Sequence, residues 1–156
     1  MALHPTLSDV HFKKSVMKFI IDQLVTIDGN LVFFEPIFEV PRDGGDNLVD
    51  SWIEVEFNEK EFEALASCYT LLNIYTREDS EGFDNSRILD QITEMMTDED
   101  STNGTAYIPY YDTTVEGAWT QIGGMIPILR RTSETFPGRD STTIRTVSFE
   151  LKWGAR

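Results

Sequence analysis

The stretch from Ile144 to Trp153 constrains the fold more than any other. Val147, Phe149, Leu151 and Trp153 alternate with Ser148, Glu150 and Lys152, which is the pattern of a strand with one apolar and one polar face. Such a strand needs neighbours to pair with and a second layer to cover its apolar side. The chain is therefore a sheet protein with something packed on the sheet. At 156 residues and 40% apolar content, it is expected to form a single domain over residues 1–156 with an ordinary core.

Two segments have helical periodicity. Val10, Met17, Ile20, Ile21, Leu24 and Val25 recur near helical spacing and predict a helix from about Leu7 to Val25. Pro5 and Thr6 ahead of Asp9 suggest a capping box, and Asp28, Gly29 and Asn30 close the helix. Ile88, Leu89, Ile92, Met95 and Met96 make one face of a second helix, with Asp84 as its cap. The acidic run Asp98, Glu99 and Asp100 opposes the negative end of that helix, so it should stop near Met96.

The remaining segments read as strands. Leu31 to Val40 is rich in Phe, Val and Ile, but Pro36 removes a ladder donor and confines the segment to an edge or a bulge. Ile53, Val55 and Phe57 alternate with Glu54 and Glu56, predicting a strand with one wet face. The turn formers from Pro41 to Asn47 between these two segments predict a hairpin with a long, exposed tip. Ala64 to Tyr75 tolerates a helix through Leu65, Leu71 and Leu72, while Tyr69, Thr70, Ile74 and Tyr75 favour a strand, the assignment adopted here. Further strands are expected at Tyr107 to Tyr111 and at Met125 to Arg130. The fold class is α+β: a mixed or antiparallel sheet with two amphipathic helices packed on one face.

With 27 acidic against 13 basic side chains and a formal charge of -14, the chain repels a phosphate backbone. The lone Cys68 precludes an intramolecular disulfide, so folding in a cytoplasm is the simpler expectation. Lys18 and Asp22 interrupt the first apolar stretch, so no targeting segment is expected. No window reaches the roughly 18 apolar residues of a membrane span.

Motifs for chemistry fail when tested. In the acidic loop, counting a calcium site from Asp98 puts the glycine one place late and Pro109 at the twelfth position. Counting from Glu99 places Gly104 well but puts Tyr110 where a bidentate Glu is needed. His4 and His11 have no further His or Cys to complete a zinc shell. Cys68 lacks a nearby His base and reads as a small buried hydrophobe. The pairs Gly44–Gly45 and Gly123–Gly124 lack phosphate-cradling spacing. Asn103-Gly104-Thr105 matches a glycosylation sequon, without weight in the absence of a secretion signal. No catalytic residue, cofactor or metal is expected.

Four pieces carry a resemblance: the first helix ending in Phe19-Ile20-Ile21-Asp22-Gln23-Leu24, the Trp52-Ile53-Glu54-Val55-Glu56-Phe57 strand, the Thr70-Leu71-Leu72-Asn73-Ile74-Tyr75-Thr76-Arg77-Glu78 strand leading to the second helix, and the terminal Val147-Ser148-Phe149-Glu150-Leu151-Lys152-Trp153 strand. In this layout the chain resembles the tail terminator, or tail-completion, proteins of long-tailed bacteriophages. The resemblance implies a structural virion protein, not an enzyme, assembled in the host cytoplasm. It implies a homo-oligomer, a hexameric ring at the head-proximal end of the tail tube, that ends tube growth. Its implied partners are the tail tube protein and the head-completion or connector protein, with DNA passing through unbound and no membrane involved. Another neck or tail-tube protein is the alternative within this class; a small acidic metal-dependent enzyme or ligand-binding domain is the alternative outside it. The expected subunit or partner contacts are the tip residues Arg42, Asp43, Gly44, Gly45 and Asp46, together with Pro36 and Trp153. Pro36 compromises one strand, and Trp153 lies on a terminal strand whose edge is expected to be free.

Overall fold

The computed structural model describes residues 4–62, 65–101 and 104–154, with the backbone alone at residue 59. A 3-10 turn, Pro5–Leu7, leads into α1 (Asp9–Ile20), which continues as a π-helical stretch, Ile21–Ile27. Then come β1 (Val32–Phe33), β2 (Ser51–Phe62), β3 (Leu65–Arg77), α2 (Phe83–Met96), β4 (Ile108–Asp112), β5 (Thr120–Thr132), β6 (Phe136–Pro137) and β7 (Thr142–Gly154). The expected start of β3 at Ala64 lies outside the described residues, as does Asn103 of the sequon.

The sheet runs in the order β1-β2-β3-β7-β5-β4, with β6 alongside the start of β7. All its pairings are antiparallel except β1 with β2. The α+β reading holds: both helices contribute to one core against one face of this sheet. That face carries Ile53 and Val55 of β2, Leu72 and Ile74 of β3, and Val147, Phe149, Leu151 and Trp153 of β7. From the helices come Phe12, Val16, Ile20, Leu24, Ile88, Ile92, Met95 and Met96. Register shifts at Phe57/Lys60, Tyr110/Tyr111 and Leu129/Arg131 mark bulges, which add twist and let the sheet curl around the helices.

Several local expectations are corrected. The buried stripe of the first helix is Phe12, Val16, Ile20 and Leu24, spaced four apart, whereas Val10 is exposed. Its cap is Ser8, whose side chain accepts from His11 N, so the Thr6 box does not form. For α2 the capping oxygens belong to Asp79, which accepts from Asp84 N at 3.2 Å and Asn85 N at 2.9 Å. The predicted stop at Met96 is where α2 ends.

The largest correction concerns the predicted hairpin. β1 is only two residues long and runs parallel to β2, because residues 34–50 form a crossover over the outer face instead of a tight return; a parallel pair needs about a dozen residues or more for this. Within that crossover the tip closes on itself through an antiparallel bridge between Arg42 and Leu48. The second correction concerns β7. Far from having a free edge, it lies between β3 and β5.

Candidate functional site

Arg42, Asp43, Gly44, Gly45 and Asp46 are all exposed, and the loop they form is ordered by its own hydrogen bonds. Asp43 Oδ1 accepts from Gly45 N at 2.8 Å and from Asn47 N at 3.0 Å. Asp43 N donates to Asn47 O at 2.8 Å. Arg42 Nη1 donates to Asp46 O at 2.9 Å and lies 3.8 Å from Asp46 Oδ1, so the fork is engaged within its own loop. Asp46 takes a φ of 63°, a region that Asp tolerates in turns. Pro36 is exposed on the crossover, past the end of β1.

Trp153 belongs to the core. It is 3% exposed, stacks on Phe12 with centroids 4.8 Å apart, and donates from Nε1 to Thr6 O at 2.8 Å. Its expected contact role is therefore replaced by a packing one: it holds the chain ahead of α1 against the sheet. Tyr110 assists by donating to Thr6 O at 3.0 Å and Ser8 O at 3.1 Å, and its burial pushes the phenol well above its usual range. His11 ties the same helix to the end of β4, with Nδ1 2.9 Å from Thr113 Oγ1.

The sheet edges are where surface remains for a partner. β1 covers only Ile53 and Glu54 of β2, and β4 covers β5 only up to Met125. Among the described residues, Val55–Phe62 of β2 and Ile126–Thr132 of β5 have no strand on their outer sides. The two open segments lie at the same level of the sheet. Val55 is followed through Leu72 and Val147 to Thr132, and Lys60 through Cys68 and Leu151 to Pro127. The β2 segment carries Glu56 and Glu61, and the β5 segment Arg130 and Arg131. Arg130 binds the buried Glu150, while Arg131 is exposed. Pro127 removes one donor from the β5 edge. Exposed strand edges are templates for another chain unless blunted, and a single proline blunts this one only in part. No sequence signal distinguished these segments, because which strands end a sheet depends on long-range pairing.

The outer face of the sheet, expected to be wet, is partly sealed by the crossover. Glu54 is 5% exposed; its Oε2 accepts from Ile37 N at 2.9 Å and its Oε1 from Asn73 Nδ2 at 3.4 Å. Glu56 shares Asn73 at 3.3 Å, and burial, followed by the charge of Glu54, raises its carboxyl above the ordinary 4.5. Beside them Trp52 and Tyr75 stack with centroids 5.0 Å apart. Cys68 is fully buried and its thiol is pushed up by burial, which suits packing and not nucleophilic attack. Among the described residues, no group of three or more His, Cys, Asp or Glu could hold a metal ion, and no helix is long and apolar enough to cross a membrane. No family model matches the chain, and no curated protein matches it in sequence.

Proposed function

We propose that the chain is a ring-forming subunit of a phage tail, acting as a tail terminator: a closed ring of about six copies on the head-proximal end of the tube that ends tube growth and meets the head connector. The layout described above suggests this function, and the pair of open sheet edges is the observation that carries it. β2 and β5 run in opposite directions. A rotation about an axis along the strands preserves each subunit's strand direction, so β5 of one copy would meet β2 of the next antiparallel. The open segments already share one level, and the acidic β2 edge would face Arg131 of its neighbour. Much of the negative charge would then remain for the bore and outer rim, where it keeps DNA from adhering.

A charge swap tests the joint. Arg131→Glu should abolish rings in negative-stain images of tail particles or concentrated protein, and Arg131→Glu combined with Glu56→Lys should restore them, since Glu56 lies level with Arg131 through Leu71 and Ser148 and each joint would regain an opposite pair. Particles in which the wild-type chain is a single copy or an open filament would end the proposal.

A further inference from the structure

We propose a second, separate site: the cavity between the crossover and the outer face of the sheet binds an apolar group bearing one carboxylate. The cavity measures about 500 Å³, within the roughly 300–1,000 Å³ typical of small-ligand pockets. One side is the parallel Trp52–Tyr75 stack, with 3° between the ring planes, and Ile144 extends the apolar surface. A flat face of this kind suits an aromatic or branched aliphatic group.

Two lining residues carry polar atoms that the chain does not satisfy. Trp52 is 4% exposed and Thr142 5% exposed, and neither Trp52 Nε1 nor Thr142 Oγ1 has a hydrogen-bond partner. An unpaired buried donor is uncommon in a native fold and calls for a reason. An indole N–H only donates and a hydroxyl can donate, so an oxygen acceptor on a ligand would complete both, reached through a small movement of the crossover because each atom has under 1 Å² of accessible surface. At the rim, the exposed Arg139 side chain makes no ion pair with any described residue, in a chain with twice as many acids as bases. Arg42, on the opposite wall, is held by Asp46. Arg139 is thus the cation available to a carboxylate, while Glu39 and Asp140, which also line the cavity, disfavour a second negative charge on the ligand.

The flanking backbone is held in uncommon conformations. Asp140, which lines the cavity, and Ser141 next to it have φ values of 55° and 60°. Glu78, with a φ of 53°, donates from its N–H to Ser141 O. Such residues cluster where surrounding structure fixes a functional shape. The carboxylate can come from a free acid or from a protein segment, and the chemistry is the same. This site does not depend on ring formation, so either proposal can fail without the other.

The test uses the full ¹⁵N-labelled chain, in which the indole N–H of Trp52 is one of three tryptophan signals, identified through Trp52→Phe. Titration with 3-phenylpropanoate should move that signal and leave the other two in place. The neutral 3-phenylpropanamide should bind about tenfold more weakly, as should 3-phenylpropanoate to Arg139→Ala, reflecting one lost charge-assisted contact. A capped peptide, acetyl-Phe-Asp-amide, distinguishes the sources: a response to it as well points to a protein segment, and a response to the free acid alone to a small molecule. The proposal is overturned if neither acid moves the Trp52 signal, if acid and amide bind equally well to the wild-type chain, or if Arg139→Ala with an unchanged remaining spectrum binds as tightly as wild type.

Discussion

Asp79 shows how a short polar side chain decides a local structure that its sequence neighbours obscure. Two backbone donors at the start of α2 and the Thr76 hydroxyl converge on its carboxylate. Burial would raise its pKa, but those bonds outweigh it and hold the group below its ordinary 3.8. A depressed folded value means that the stabilisation is present above the unfolded value and is lost as pH falls through the folded one. Asp79→Ala should cost about 1 kcal/mol at pH 7, with the deficit shrinking in acid, as thermal melts across pH would report. Glu56 has the opposite sign. Its raised value means that ionisation opposes folding above the ordinary carboxylate range, so Glu56→Gln should raise the melting temperature at pH 7 and give no such gain below pH 4.5. A melting temperature at pH 7 below that of wild type would show that the Asn73 bond outweighs the repulsion from Glu54. Arg130 sits beside a Glu150 that is 5% exposed and whose carboxyl that guanidinium holds below its usual range.

At the scale of elements, α1 is held from both ends of the sequence. Phe12 meets Phe57 edge-on at 5.7 Å and stacks on Trp153, and Ser15 Oγ accepts from Tyr111 N at 2.9 Å. Phe12→Ala should therefore destabilise the chain by roughly 3–5 kcal/mol, measured by denaturant unfolding, whereas Val10→Ala on the exposed side should cost under about 0.5 kcal/mol. The tip of the crossover is the contrasting case. Residues Arg42 to Asp46 are exposed and bond mainly to one another, so replacing them with a short turn should leave the circular dichroism melt nearly unchanged. If the tip contacts a neighbouring subunit or ring, the same variant should fail to yield functional tails in complementation. Wild-type yield would show that the tip is dispensable for assembly.

For the whole molecule, strand and helix identity was legible in the residues because burial on one face imposes a period of two or of about 3.6. That is why β7, β3, α2 and the core stripe of β2 were foreseeable, along with the end of α2 at Met96. The direction of β1, the place of β7 inside the sheet and the covering of Glu54 were not. Each depends on which distant segment pairs with or lies over another, and local periodicity is identical for a central and an edge strand. Trp153 illustrates the difference: its alternation marked it as apolar and inward, but only the pairing of β7 with both β3 and β5 made it core and not margin. The candidate surfaces follow the same division. Turn formers and acidic excess were visible along the chain, while the two open edges at one level and the aromatic-floored cavity exist only once strands far apart in sequence lie side by side, because edges and cavities are properties of what remains unpaired after folding.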